Sequence, residues 1–552
     1  MKATRFPAAA CVIAVTMSSG ALAAPQSCES LASLQFPDTT ITVAAVVAAG
    51  AFDPPGATPP IDTAACRVAG TIAPTSDSSI AFEVWMPTSG WNGKFLSAGE
   101  GGFAGAINYG GVADALRRGY AGGSTDTGHV GGTADFAPGH PQQVIDFGWR
   151  AKHLQAVRSK DIIRAYYGHA VKHAYFSSCS NGGRQALLEV QRFANDYDGV
   201  LVGAPANDWT HLFAGFVWNE QALWNTPGAY LPASKLAAVQ SATLASCDAL
   251  DGVTDGVAED PRRCNFDPAT LACPAGTDAP DCLTPPQVSA VRKIMDGPRN
   301  PVTGRSIFPG YFTSAAAEPG SWPVWITGPA VPGASVQGFF GNAFFGRVVH
   351  EIPAPAAWDF STFDFHGDMI AADAKTAHNF NANDPELHAF RHFNRHGKII
   401  MWHGWEDPAI SGHSAVSYYE QVLRHNHDAR DFFRLFMVPG MLHCGGGPGP
   451  NSFGQSLPQA KPLSNSPRHD ILSALEQWVE KGVAPKRIEA VKYVNDQPAQ
   501  GVLRTRPLCP FPKSAVYDGH GSTDDAANFL CRNPHRHHGH DGDHNNDDDS
   551  DD

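Results

Sequence analysis

The chain has 552 residues, 43% of them hydrophobic, and a formal net charge of −14. This length and composition allow one large catalytic domain with a substantial insertion and exclude a globally disordered chain. The acidic balance argues against a nucleic-acid partner, whose binding needs Lys and Arg to replace counterions, and no apolar run reaches the roughly 18 residues that a membrane span requires.

In chain order, residues 1–23 read as a signal peptide: Lys2 and Arg5 supply positive charge, Ala8 to Val15 is mostly apolar, and Ala21-Leu22-Ala23 is a small-residue cleavage motif. The mature protein is expected to be secreted or periplasmic. Of the 11 cysteines, Cys11 lies in the segment to be removed, and the even remainder suits disulfides in an oxidising compartment. A stretch rich in Pro, Ala and Thr runs from Cys28 to about Pro74. Strands are predicted at Ile80–Met86 and at Lys94–Ser97, the second leading into the glycine-rich loop GEGGFAG. A helix over Gly111–Arg118, a strand from Gly119, a helix over Gln155–Tyr167, a strand over Ala174–Ser178, a helix after it and a short strand at Gly199–Val202 follow. Such alternation predicts a mainly parallel sheet with helices on both faces. From about Asn207 to Arg395 the chain turns to Pro, Gly and aromatic residues with four cysteines, and alternation returns with the strand Lys398–Trp402, the helix Ser414–Leu423, the strand Phe432–Val438 and the helix Ile471–Lys481. The expected organisation is a catalytic domain of residues 24–206 and 396–531, an inserted lid of 207–395, and a His/Asp-rich tail of 532–552 with no large apolar residue to fold around.

The segment AYFSSCSNGGRQALLEV places Ser180 between a strand and a helix. This is where a nucleophile elbow lifts a serine oxygen above a sheet, with a helix N-terminus behind it to favour negative charge. Ser178-Cys179-Ser180-Asn181-Gly182 departs from G-x-S-x-G by a serine at the first position, still a small residue. A serine at such a junction is also often only a helix cap. The acid and the histidine should follow in that order. KIIMWHGWEDPAI puts Asp407 beyond one strand, with Glu406 as its rival, and FRLFMVPGMLHCGGG puts His443 in a glycine-rich loop beyond the next. The oxyanion donors are expected to be the N–H of Asn181 and one from Gly101 or Gly102, between which the sequence does not choose.

These residues resemble the tannase and feruloyl esterase family, which also includes the hydrolase of mono(2-hydroxyethyl) terephthalate, over roughly Cys28 to Cys531. The most specific element is a cysteine just before the serine and another just after the histidine, here Cys179 and Cys444. The resemblance implies an α/β-hydrolase fold with a large inserted lid. It also implies a Cys179–Cys444 disulfide beneath the relay and the further pairs Cys28–Cys66, Cys247–Cys264, Cys273–Cys282 and Cys509–Cys531. It implies a structural calcium ion in the lid, at CDALDGVTDGVAEDPRRC, held by Asp248, Asp251 and Asp255 with the carbonyls of Val253 and Val257. No organic cofactor is expected.

The lid is dense in aromatic residues, including Trp322, Trp325, Phe339, Phe340, Trp358 and Phe360, which suits a flat phenolic acyl group as well as an ordinary core. By resemblance the substrate is an ester of a hydroxycinnamic or gallic acid. Ile410, His413, Phe344 and Phe345 are candidate pocket residues, and Arg347, read first as a surface arginine, could meet the free carboxylate that a terephthalate monoester carries. Two readings of other classes stand beside this one. One is a non-catalytic calcium-dependent binding protein. The other is a metalloenzyme using some of the 24 histidines, although no H-E-x-x-H motif is present.

Overall fold

Strands whose residues are apolar on both faces form the centre of a nine-stranded sheet in a computed structural model that describes residues 24–55, 60–393, 397–455 and 460–533. The signal-peptide segment and the tail from residue 534 onward lie outside the described residues. The strands are β1 (Thr39–Val47), β2 (Ala65–Ile72), β3 (Ile80–Pro87), β4 (Lys94–Ala98), β5 (Ala121–Thr125), β6 (His173–Cys179), β7 (Gly199–Gly203), β8 (Lys398–Gly404) and β9 (Phe433–Val438). Their order is β1-β2-β3-β5-β4-β6-β7-β8-β9. Pairing is antiparallel from β1 through β3 to β5 and parallel from β5 through to β9. This is the α/β-hydrolase fold.

Successive residues of the central strands enter two different cores, as the period of two demands. Phe176, Val200, Val202, Ile399 and Met401 pack on one face with Ile162, Ile163, Leu187 and Tyr419 from the helices Ala151–Tyr167, Asn181–Arg192 and Gly412–His425. Tyr175, Leu201, Ile400 and Trp402 pack on the other with Leu472, Leu475 and Trp478 of the helix Ile471–Lys481. The predicted strands and helices of this region all form, with ends shifted by a few residues.

The stretch after Cys28, in which no element is predicted, contributes β1 and β2. Its Pro- and Ala-rich turns obscure β-branched runs such as TTITV, and β1 sits at the sheet edge with no fully buried residue to mark a pattern. At the other end, Ile488–Tyr493 pairs with Val502–Leu508 and Ser514–Tyr517 with Phe529–Arg532, so residue 532, assigned to the tail, ends a strand. All five implied disulfides form: Cys28–Cys66, Cys179–Cys444, Cys247–Cys264, Cys273–Cys282 and Cys509–Cys531. Among the described residues no helix is long and apolar enough to cross a membrane.

Between β7 and β8 the chain leaves the sheet for a mainly helical insertion that includes Trp209–Trp224, Ala233–Cys247, Pro285–Asp296 and Val336–Ala343. Its main core is shared with the sheet part: Phe103, Phe136 and Phe147 pack with Trp209, Phe213, Phe344 and Phe380. The insertion therefore rests on the carboxyl ends of the parallel strands, where open α/β sheets hold their ligands.

The helix after β6 approaches β7 so closely that a Cβ on Gly183 would lie 2.3 Å from the Gly203 carbonyl oxygen and 3.0 Å from Pro205 Cα. Both obstacles are backbone and cannot turn aside. Gly183→Ala is expected to destabilise the protein by about 1–3 kcal/mol, as overpacking does, measured by denaturant unfolding.

Candidate active site

β6 ends at Cys179, and Ser180 turns the chain into the helix with φ 65° and ψ −125°. Such a positive φ is strained for a residue with a Cβ. Close packing enforces it. A Cβ on Gly182 would fall 1.9 Å from Ser178 Oγ, so Ser178 occupies the usual glycine position because Gly182 leaves it room. The Ser180 N–H donates to the Gly203 carbonyl at 3.0 Å, which ties the turn to β7.

The other two predicted relay residues converge on this turn. Ser180 Oγ lies 3.0 Å from His443 Nε2, and His443 Nδ1 lies 2.8 Å from Asp407 Oδ2. Because Nδ1 faces a carboxylate, it carries the hydrogen, and Nε2 is left to accept from the serine. Asp407 is buried, and its Oδ1 accepts from the N–H groups of Ala409 and Ile410 at 2.8 and 2.9 Å. Burial pushes its pKa up, but the charges and hydrogen bonds of His443 and His403 outweigh burial and hold the carboxyl well below its usual range. Glu406, the rival, points elsewhere: its carboxyl accepts from Ser314 Oγ, and burial raises it to about 7. The disulfide Cys179–Cys444, with 6.0 Å between Cα atoms, joins the residue before Ser180 to the residue after His443. Trp325 sets its ring edge-on to His443, with 5.0 Å between centroids.

A cavity of about 340 Å³ opens above Ser180, a size suited to a small ligand. Asn181, Gly101 and Gly102 all line it. Gly102 has φ 54°, and a Cβ there would meet the Phe340 ring at 2.8 Å, whereas a Cβ on Gly101 would enter open space. The preceding residue, Glu100, is anchored from behind: its N–H donates to Gln185 Oε1 at 3.1 Å, and its carboxylate accepts from Ser124 Oγ at 2.9 Å and pairs with buried Lys152 at 3.2 Å. The helix N-terminus at Asn181 and this glycine loop thus face the same space, an arrangement able to stabilise an oxyanion.

Of the predicted pocket residues only Ile410 lines the cavity. Phe344 and Phe345 do not; they are fully buried core, with ring centroids 5.0 Å from Phe213 and 5.3 Å from Trp358. His413 packs on Phe312 at 4.5 Å, on another side of the Asp407 loop, and burial, helped by Arg262, pushes its pKa down to about 4. Arg347 pairs with Asp135 at 2.7 Å and donates to the carbonyls of Ile352 and Ala356, so it does not face a substrate carboxylate. The aromatic wall comes instead from Trp325 and Phe340 and, unpredicted, from Trp209, Phe213 and Phe216 with Leu212. The available signal was position: WTHLFAGFVW follows β7 at a strand's carboxyl end.

The lid segment implied to bind calcium is a tight loop bracketed by Cys247–Cys264, with φ 91° at Gly252 and 79° at Gly256. Asp248 accepts from the N–H groups of Asp255 and Gly256, and Asp251 from those of Val253 and Glu259. Burial, reinforced by the charge of Asp255, raises Asp251 to about 6. Asp255 is paired with Arg504 at 2.8 Å and with Arg506. The three carboxylates are thus engaged by backbone N–H groups and by arginines, and among the described residues they do not gather within reach of a single ion.

The profile of the family described as tannase and feruloyl esterase matches residues 66–532. The chain is 43% identical to an uncharacterised esterase of Xanthomonas campestris, covering 92% of this chain and 91% of the relative. It is 32% identical to feruloyl esterase C of Talaromyces stipitatus, over 84% of this chain and 85% of that one. The crystal structure of feruloyl esterase B from Aspergillus oryzae superposes with a TM-score of 0.82 at 29% identity, covering 92% of this chain and 99% of the other. With its elbow, its sheet order and its paired cysteines set beside these relatives, the chain belongs to the tannase and feruloyl esterase family and is a carboxylic ester hydrolase.

Proposed function

We propose that the chain is an exported serine esterase that hydrolyses esters of aromatic, phenolic acids through an acyl-enzyme. The observation that carries this reading is Ser180 Oγ at 3.0 Å from His443 Nε2 beneath an aromatic-walled cavity. His443 takes the Ser180 proton as Oγ attacks the ester carbonyl and then delivers it to the leaving alcohol. Asp407 fixes the imidazole tautomer and stabilises its cation. The N–H of Asn181 and one from Gly101 or Gly102 stabilise the oxyanion, each such donor being worth about 100–1000-fold in rate. Water, activated by the same histidine, then clears the acyl-enzyme.

Flat rings at Trp209, Phe213, Trp325 and Phe340 suit a hydroxycinnamoyl or galloyl group, and relatives named as feruloyl esterases support the first. Among the described residues that line the cavity there is no Lys or Arg, which makes a terephthalate monoester with its free carboxylate the weaker candidate. Five disulfides support export to an oxidising compartment. The wild type is expected to hydrolyse methyl ferulate or methyl gallate faster than mono(2-hydroxyethyl) terephthalate, and Ser180→Ala to be inert on all three. Inert wild type on every ester would overturn the substrate class.

The roles of the two adjacent acids separate by mutation and pH. Asp407→Asn is expected to lower kcat by about 10⁴-fold, through loss of the productive tautomer. Glu406→Gln should keep most activity but change the pH dependence of stability. The folded state holds a proton on Glu406 up to about 7, above the unfolded value of 4.5, so this group makes stability fall as pH rises between those values. Melting temperatures at pH 5 and pH 8 should therefore drop less for Glu406→Gln than for the wild type.

By the family resemblance, Asp248, Asp251 and Asp255, with the carbonyls of Val253 and Val257, would hold a calcium ion whose role is to brace the loop, remote from the reaction. EDTA is expected to lower the melting temperature by several degrees, with recovery on adding calcium, while ester turnover by the still-folded enzyme changes little. An unmoved melting temperature counts against the site.

A further inference from the structure

β8 ends in His403-Gly404, and the His403 ring is fully buried between that strand and the Asp407 loop. Its Nε2 lies 2.8 Å from the Ile410 carbonyl oxygen and 3.2 Å from Asp407 Oδ2. A carbonyl only accepts, so Nε2 carries the hydrogen and donates it to Ile410, with Asp407 Oδ2 beside that N–H at 3.2 Å. The other ring nitrogen, Nδ1, is buried with no hydrogen-bond partner among the described residues. A dry imidazole with one nitrogen unsatisfied is costly to bury and calls for an explanation in what its other nitrogen does.

Asp407 supplies that explanation. Its Oδ1 is filled by two backbone N–H groups, and its Oδ2 is shared by two imidazoles, His443 at 2.8 Å and His403 at 3.2 Å. The remaining titratable groups around the carboxylate face away from it. Glu406 turns to Ser314, and the Tyr311 hydroxyl donates to the Ala409 carbonyl at 3.1 Å. Ile410, whose carbonyl His403 also holds, lines the cavity.

We propose that His403 is a positioning residue for this esterase: a second imidazole donor that shares Asp407 Oδ2 with His443 and ties the acid to the cavity wall through the Ile410 carbonyl. The proposal rests on the serine-esterase reading above. Two donors on one oxygen divide its basicity. Asp407 is then a weaker acceptor toward His443 than an unshared carboxylate would be, so loss of the His403 donor is expected to tighten its hold on the His443 N–H. The bond to Ile410 keeps the acid loop in one register with the pocket.

The test is the pH profile of kcat/KM on the best of the methyl esters, for the wild type, His403→Leu and His403→Gln. Loss of the donor in His403→Leu is expected to move the acidic limb upward by about half to one pH unit and to lower kcat about tenfold. His403→Gln, which keeps a side-chain N–H donor, should bring the limb back toward the wild-type position. If the leucine variant does not fold, His403→Asn, too short to span both oxygens, replaces it with the same expected shift. An acidic limb that stays in place in the folded variants overturns the proposal, whatever happens to kcat or melting temperature. Labelling of wild-type Ser180 by a fluorophosphonate separates the two failures. Labelling with an unmoved limb ends only the role of His403, whereas no labelling ends the esterase reading and this proposal with it.

Discussion

A single strained residue organises the site. Ser180 adopts φ 65°, which costs a residue with a Cβ about 1–3 kcal/mol and persists only where the surroundings over-determine it. Here they do so from three directions. Gly182 and Gly183 let the following helix close onto Ser178 and onto the Gly203 carbonyl. The Ser180 N–H is held by β7. Cys179, one residue upstream, is bonded to Cys444. The strain lifts Oγ above the sheet and leaves the Asn181 N–H facing the same cavity, so nucleophile and oxyanion donor are set by one turn.

The bridge addresses a difficulty that hydrogen bonds leave open. His443 sits on a loop after β9, and 265 residues separate the two bridged cysteines. A hydrogen bond of 3.0 Å between exchanging side chains contributes about 1 kcal/mol net, too little to align two loops alone. The covalent link fixes the flanks of both residues. Burial of Asp407 then removes water as a competitor for His443, and the Trp325 edge helps exclude it from the imidazole.

The elements that carry the chemistry were legible because chemistry and local pattern coincide there. Ser180, Asp407 and His443 each follow a mostly buried strand, and the cysteines beside two of them reinforce the pattern. β1 was not legible because an edge strand without full burial has no buried run to mark it, and β2, although inside the sheet and mostly buried, reads as the mixed small and polar run ACRVAGTI. The pocket was legible only in its composition. Phe344 and Phe345 have the same residue type as Phe340, and nothing in sequence says which ring faces the core and which faces the cavity. That is decided by helix rotation against Phe213 and Trp358. The second reading of Arg347, as a partner for a substrate carboxylate, does not hold for a similar reason: Asp135, distant in sequence, neutralises it. His403 was hidden in plain view on β8, since its importance comes only from the turn that brings Asp407 back beneath it.

The insertion and the elbow are joined by a group that local pattern does not suggest. Arg184, on the helix that Ser180 begins, is fully buried. Its Nε donates to Asn181 Oδ1 at 2.7 Å, and Nη1 donates to the carbonyls of Gly148 and Phe380 at 2.9 and 3.1 Å. Trp209 and Phe380 of the insertion and Phe147 of the sheet part surround the guanidinium with their rings, 4.6 to 5.8 Å away. Burial, with a smaller contribution from Arg192, lowers its pKa to about 9, so it remains charged at neutral pH. A cation placed there is stabilised by carbonyl dipoles and ring faces, all of which come from fixed backbone or packed core. It therefore binds the N-terminal end of that helix to the aromatic wall of the cavity. The cavity is shaped by the same packing that holds the turn at Ser180, so the insertion and the elbow share one buried seam.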